Sequence, residues 1–144
     1  MSWPPPRPGL VIRYSYLWTD EAASGRDEGI KDRPCAVVLS VDGEAGTRVY
    51  VLPVTHTPPT RDRSAIELPP RVQARLGLDE ERSWVVVTEA NSFMWPGPDL
   101  RPIPGRGVES IAYGYLSPSL FTAIRDAFVA EVRSRRADVT ARTT

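Results

Sequence analysis

The chain has 144 residues, 41% of them hydrophobic, and its eighteen basic residues balance eighteen acidic ones, which predicts one globular domain with no general affinity for polyanions. Lys31 is the only lysine, and the other basic residues are arginines, whose planar fork suits phosphate, although a GC-rich coding sequence would produce the same bias. The single cysteine excludes an internal disulfide, and one cysteine with one histidine excludes a zinc cluster of the usual Cys/His spacing.

The first half of the chain predicts strands separated by polar loops. Residues 1–8 read as a proline-rich extended arm, and residues 9–18 are rich in aromatic and β-branched side chains, which is typical of a strand. Residues 19–32 show no periodicity and predict a long loop. Two apolar runs, 33–41 and 48–55, flank a short glycine-containing turn. They predict an antiparallel hairpin.

The second half predicts short strands and two helices. A short strand is expected at 64–69, a short helix at 69–78, a strand at 83–93 and an edge strand near 100–103. The only long helical pattern follows, with Ser117 as N-cap, Pro118 as the first helical residue and apolar residues recurring at intervals of four.

This order of elements predicts a mainly β fold with α-helices, a small SH3-like antiparallel β-barrel with a short mid-chain helix and a C-terminal helix. Residues 1–144 are expected to form a single domain, in which 9–135 supply the barrel and helix and 136–144 form a flexible tail. The sequence has no glycine-rich phosphate loop and no G-x-S-x-G motif. This argues against nucleotide-dependent enzymes and most hydrolases.

The order and spacing of a few short motifs resemble one family of proteins. Gly9 opens the first strand, Glu28 stands five positions before an Arg-Pro pair at Arg33, and the strand after that ends at Thr55. This arrangement resembles the MazF/PemK/Kid toxins of bacterial type II toxin–antitoxin systems over roughly residues 9–132. The family's common loop pattern, S-E-Q-x-G-x-R-P, is here D-E-G-I-K-D-R-P, so only the glutamate and the Arg-Pro pair carry over.

The resemblance implies that a homodimer, restrained by a cognate antitoxin, cleaves single-stranded RNA without a metal or other cofactor. Attack by the 2′-hydroxyl needs a base, for which Glu28 is the candidate, and positive charge on the phosphorane, which Arg33 would supply. A guanidinium deprotonates only above pH ~12, so Arg33 is not expected to be the proton donor. Thr55 would hydrogen-bond a phosphate oxygen, and water or His56 would protonate the leaving oxygen.

Further contacts with RNA are expected from two other segments. Arg61 and Arg63 lie in the loop that leaves the second hairpin strand, although Asp62 between them weakens this interpretation. Glu89 falls where the family has an acidic residue in a later strand. Trp95 offers a ring on which a base can stack.

Each of these assignments has an ordinary alternative. Arg33 could solvate a strand end and pair with Asp27 or Asp32, and a tryptophan more often packs in a core. The chain as a whole could be a non-catalytic module that binds a protein target such as DNA gyrase, because related toxins of this architecture do so. The absence of an apolar run of ~20 residues and of a secretory signal predicts a cytoplasmic protein with no membrane contact.

Overall fold

The computed structural model describes residues 3–26, Gly29 and residues 31–142. Within this part of the chain there are eight strands and three helices. None of these helices is long and apolar enough to cross a membrane. In chain order the elements are β1 Leu10–Tyr14, α1 Thr19–Ala23, β2 Arg33–Gly43, β3 Gly46–Thr55, β4 Ala65–Glu67, α2 Pro70–Leu76, β5 Trp84–Val86, β6 Glu89–Met94, β7 Ala112–Tyr115, α3 Pro118–Arg133 and β8 Asp138–Ala141.

The predicted hairpin is confirmed and forms the centre of the fold. β2 and β3 pair in antiparallel fashion, with Cys35 opposite Pro53 near their outer ends. Continuing this register by two residues places Arg33 of β2 opposite Thr55 of β3. Because paired positions project to the same face of a sheet, the hairpin brings the first residue of one strand beside the last residue of the other.

The mainly β prediction is also confirmed. The strands form one eight-stranded sheet with the order β4-β5-β3-β2-β1-β7, in which β6 pairs with β3 and β8 pairs with β6. All pairs are antiparallel except β6 with β8, which is parallel. β3 is therefore partnered along both edges, by β2 on one side and by β6 and β5 on the other.

Two helices agree with the sequence. α2 begins after Pro69 and ends at Gly77, which adopts a left-handed conformation with φ of 74° that a residue without a Cβ accepts easily. α3 begins at Pro118 directly after Ser117. Both helices bury apolar residues against one face of the sheet.

Four local predictions were wrong. The loop predicted at 19–32 contains the short helix α1, and the strand predicted at 83–93 is split into β5 and β6. The edge strand expected near 100–103 is reduced to a single bridge between Tyr14 and Leu100, while the unpredicted β7 pairs with β1. The flexible tail predicted at 136–144 is instead β8 over residues 138–141, because β6 offers it a free edge.

Apolar residues are buried on both faces of the sheet. On one face Val11, Leu52 and Val54 pack against Leu76 of α2 and Phe128 of α3. On the other face the core consists of β1, β2, β3 and β6 side chains, together with residues from the segment between β6 and β7. Burial on both faces makes the β2–β3 hairpin a rigid support for the side chains at its open end.

Candidate functional site

A cleft of about 780 Å³ opens at the end of the hairpin where β2 begins and β3 ends. It collects four of the side chains that the sequence predicted to be functional, namely Arg33, Thr55, His56 and Arg63. Its wall also includes the segment around α1, the residues just before β2, the segment after α2, and Arg13, Ile103, Pro104 and Tyr113. Residues that are distant in sequence thus share one surface.

Two arginines meet at the same aromatic ring in this cleft. The guanidinium carbon of Arg33 lies 4.9 Å from the centroid of the Trp18 ring, and that of Arg63 lies 4.6 Å from it. Attraction between a cation and a ring face is worth about 0.5–2 kcal/mol, depending on exposure. Trp18 therefore holds two like charges close together.

Neither arginine has a carboxylate partner within ion-pair distance in the described part of the chain. Nε of Arg33 is buried without a hydrogen-bond partner there, and Nη1 makes only a long 3.5 Å contact to the carbonyl of Val54. Of the two suggested partners, Asp32 lies near Arg101 instead, at 3.6 Å, and Asp27 lies outside the described residues. Burial lowers the pKa of Arg33 from its ordinary value, and the charge of Arg63 lowers it further.

Thr55 ends β3 with its side chain buried at the wall of the cleft. Its Oγ1 accepts a hydrogen bond from the backbone N–H of Thr57 at 3.2 Å. This contact uses the oxygen as an acceptor, which leaves the hydroxyl hydrogen to be donated. An oxyanion in the cleft would receive that hydrogen bond alongside the two guanidinium groups.

His56 lies at the rim of the cleft and contacts the segment between α2 and β5. Its Nδ1 is 2.9 Å from the carbonyl of Arg82, and its Nε2 is 3.0 Å from Oδ2 of Asp79. The hydrogen bond to the Arg82 carbonyl is the main reason that the pKa of His56 is raised above its ordinary value. Both ring nitrogens are therefore engaged by neighbouring groups.

Acidic groups also line the cleft. Asp20 and Glu21 belong to α1, and Asp32 precedes β2. Oε1 of Glu21 accepts a hydrogen bond from the backbone N–H of Trp18 at 3.0 Å, so this carboxylate helps fix the segment that carries the ring.

Three other predicted residues do not line the cleft. Arg61 borders a separate depression together with Glu131 and Arg136. Glu89 is buried, and its Oε1 accepts hydrogen bonds from the Tyr16 hydroxyl and the Thr19 N–H. Trp95 packs at the edge of the core on the face of the sheet opposite α2 and α3. Glu28 lies outside the described residues.

Glu89 nevertheless supports the cleft indirectly. Its hydrogen bonds with the Tyr16 side chain and the Thr19 backbone hold the segment on either side of Trp18, and its burial raises the pKa of its carboxyl. Glu89 is therefore a structural partner of the segment that carries the ring.

Sequence reasoning missed Trp18, Asp79 and Glu81. Trp18 is the last residue of the strand predicted at 9–18, and an aromatic residue directly before a charged loop was the available signal. Asp79 and Glu81 fall in an acidic segment after a predicted helix, which normally indicates only a solvated turn. Nothing in the sequence links them to His56.

No protein-family model matches this chain, and no curated protein is significantly similar to it. What the site can do must therefore be argued from its geometry. The cleft contains two guanidinium groups that have no carboxylate partner in the part of the chain that the structure describes, together with an available hydroxyl and carboxylates. This set is suited to binding an oxyanion such as a phosphodiester and to moving a proton near it.

Proposed function

We propose that the protein is an endoribonuclease, the growth-inhibiting toxin of a type II toxin–antitoxin system, which cleaves single-stranded RNA without a metal ion. The observation that carries this proposal is the pair of guanidinium groups, Arg33 and Arg63, held on Trp18 without carboxylate partners among the described residues. Two guanidinium groups held close together attract an anion that can accept hydrogen bonds from both of them. A phosphodiester supplies that anion.

The proposed reaction begins when a carboxylate takes the proton of the ribose 2′-hydroxyl. The 2′-oxygen attacks the phosphorus, the bond from phosphorus to the 5′-oxygen breaks, and the leaving oxygen takes a proton from water. The products are a 2′,3′-cyclic phosphate and a free 5′-hydroxyl. Arg33 and Arg63 stabilise the charge that develops on the phosphorane oxygens, and Thr55 donates a hydrogen bond to one of them.

The base is assigned to Glu28, which precedes Arg33 by five residues. Its loop leads into Lys31 and Asp32, both of which line the cleft. Glu21 is the alternative, since it also lines the cleft and its charge raises the pKa of Arg33. Separate Glu28→Gln and Glu21→Gln variants distinguish the two, because only loss of the base abolishes cleavage while RNA binding is retained.

His56 is assigned a smaller part in the chemistry than its position suggests. Its Nδ1 faces the Arg82 carbonyl and its Nε2 faces Asp79, so neither ring N–H is free to protonate a leaving oxygen. In this proposal water supplies that proton.

The SH3-like barrel, the homodimer and the antitoxin are parts of the same proposal. The SH3-like barrel is proposed from the resemblance to MazF/PemK/Kid toxins, because no pairing between β4 and β7 closes the sheet among the described residues. A homodimer and a cognate antitoxin are proposed from the resemblance to MazF/PemK/Kid toxins. Exposed apolar side chains such as Val108 and Val139 make an additional protein contact physically reasonable.

The test is incubation of the purified chain with single-stranded RNA in the presence of EDTA. Cleavage is expected to survive chelation, to leave 2′,3′-cyclic phosphate ends, and to spare DNA of the same sequence because DNA lacks the 2′-hydroxyl. Arg33→Ala is expected to reduce the rate by about 10²–10³, the usual cost of removing a group that stabilises a developing oxyanion.

Arg125→Ala, at an exposed position on α3, serves as the matched control and should cleave like the parent. Intact RNA in several sequence contexts, with a folded protein, would exclude the nuclease. Growth arrest on expression without a fall in mRNA would instead support the alternative, a module that binds a protein target such as DNA gyrase.

A further inference from the structure

We propose that His56, Asp79 and Glu81 form a binding site for a divalent transition-metal ion, Zn²⁺ in the first instance, at the rim of the cleft. Each of the three offers one ligand atom, and these atoms lie within 4.8 Å of one another. The site is distinct from the Arg33–Trp18–Arg63 group. It does not depend on the nuclease proposal.

The distances around Nε2 of His56 suit a coordinated ion. Oδ2 of Asp79 lies 3.0 Å from this nitrogen, and Oε2 of Glu81 lies 3.4 Å from it. An ion with bonds of about 2.1 Å to nitrogen and oxygen separates its ligands by about 3.0 Å at right angles and about 3.4 Å at tetrahedral angles. One nitrogen therefore faces two carboxylate oxygens at the spacing that a shared ion would impose.

The other ring nitrogen fixes the tautomer that a metal requires. Nδ1 of His56 lies 2.9 Å from the carbonyl oxygen of Arg82. Since a carbonyl only accepts hydrogen bonds, Nδ1 keeps its hydrogen, and an ion bound at Nε2 would replace the proton that this nitrogen donates to Asp79 in the ion-free protein. Histidine ligands in metal sites almost always donate their second N–H in this way, which orients the ring and raises its basicity.

The segment that carries the carboxylates is held in place from the protein interior. The amide of Gln73, which is buried on α2, donates hydrogen bonds to the backbone carbonyls of Asp79 and Glu81 at 3.1 and 2.8 Å. Oδ1 of Asp79 accepts a hydrogen bond from the N–H of Glu81 at 3.1 Å, so Oδ2 is the oxygen that remains for the ion. The ligands are thus preorganised.

One imidazole and two carboxylates favour a first-row transition ion over calcium, because imidazole is a good ligand for zinc and its neighbours in the series. The count of one cysteine and one histidine excludes only a zinc cluster built from those two residue types. Here two carboxylates complete a set of three ligands. His56 and Asp79 line the cleft, so the coordination positions that the protein leaves open are accessible to water or to a ligand there.

The experiment is a calorimetric titration of the chelator-stripped full chain with Zn²⁺, repeated with Co²⁺, whose visible absorption reports its coordination. We expect one ion per chain. His56→Gln and Glu81→Gln should each weaken binding by more than about tenfold, since even the loss of an outer hydrogen-bond partner costs about that much. Glu81 is exposed, which makes Glu81→Gln a variant that should fold normally.

Glu80→Gln is the matched control, because it removes a charge between the two ligands without removing a ligand. It should bind Zn²⁺ like the parent. The proposal is overturned if the parent shows no saturable binding, if the ligand variants bind as tightly as the parent, or if Glu80→Gln weakens binding equally, since surface charge alone would explain that. No RNA is present, so these outcomes are independent of the nuclease test.

Discussion

The guanidinium carbon of Arg33 lies 4.9 Å from the centroid of the Trp18 ring. This contact stabilises the cation without cancelling its charge, as a carboxylate would. Arg63 uses the same ring at 4.6 Å, so the aromatic group concentrates positive charge at the open end of the β2–β3 hairpin.

Replacing Trp18 by alanine is expected to weaken RNA binding by about 2- to 30-fold, the equivalent of one or two cation–ring contacts. Trp18→Phe should retain part of the affinity because phenylalanine keeps a ring face. The measurement is fluorescence anisotropy with a single-stranded RNA whose 2′-hydroxyls are methylated, so that binding is separated from cleavage. Trp84→Phe is the control, since Trp84 has a similar contact with Arg82 at 5.0 Å but does not line the cleft.

The two arginines of the loop after β3 are expected to differ. Arg63 lines the cleft, whereas Arg61 borders a separate depression beside Glu131. Arg63→Ala should reduce the slope of log affinity against log salt by about 0.7, the value for one phosphate contact with a single strand. Arg61→Ala should leave that slope nearly unchanged. If both variants reduced the slope equally, Arg61 would also contact RNA, as the sequence predicted.

Glu89→Gln is expected to change how stability depends on pH. Burial raises the pKa of the Glu89 carboxyl, so the folded state binds this proton more tightly than the unfolded chain does. The resulting stabilisation is complete below the unfolded pKa of ~4.3 and is lost as the pH rises through the raised folded value.

The glutamine variant cannot titrate at this position, yet its side-chain oxygen can still accept the hydrogen bonds from Tyr16 and Thr19. Its free energy of unfolding, relative to that of the parent, should therefore increase from pH 4 to neutral pH. Urea denaturation across that range measures this difference, with Glu109→Gln as the control at an exposed position. If the difference in free energy of unfolding between the variant and the parent did not change with pH, the raised pKa of Glu89 would be contradicted.

Arg142→Ala is expected to lower the free energy of unfolding by about 3–5 kcal/mol, because it leaves a buried charge without its partner. Arg142 is buried, and its guanidinium donates hydrogen bonds to the Ser15 carbonyl at 2.6 Å and to Asn91 Oδ1 at 3.0 Å. It also pairs with Asp99 at 3.3 Å.

Deleting residues 138–144 should cost at least as much as Arg142→Ala, since it also removes β8 from the edge of β6. Urea denaturation gives both values, and Arg133→Ala at an exposed position on α3 is the control. A deletion variant as stable as the parent would show that this end of the chain is not part of the cooperative fold.

Local signals in the sequence were sufficient for the hairpin and for the two main helices. Two apolar runs and the short turn between them defined β2 and β3, while Pro118 and Gly77 marked the beginning of α3 and the end of α2. β8 could not be predicted in this way, because a short polar segment becomes a strand only when another strand offers it an edge. The split between β5 and β6 likewise depends on which neighbours they pair with.

The sequence by itself determined that Arg33 begins a strand, that Thr55 ends the next one, and that a two-strand hairpin brings them together. Only the tertiary structure decided that Trp18 and Arg63 join them and that His56 faces Asp79 and Glu81. The physical reason is that hairpin pairing is a local property of the chain. The other contacts join segments whose approach depends on how the sheet and its helices pack.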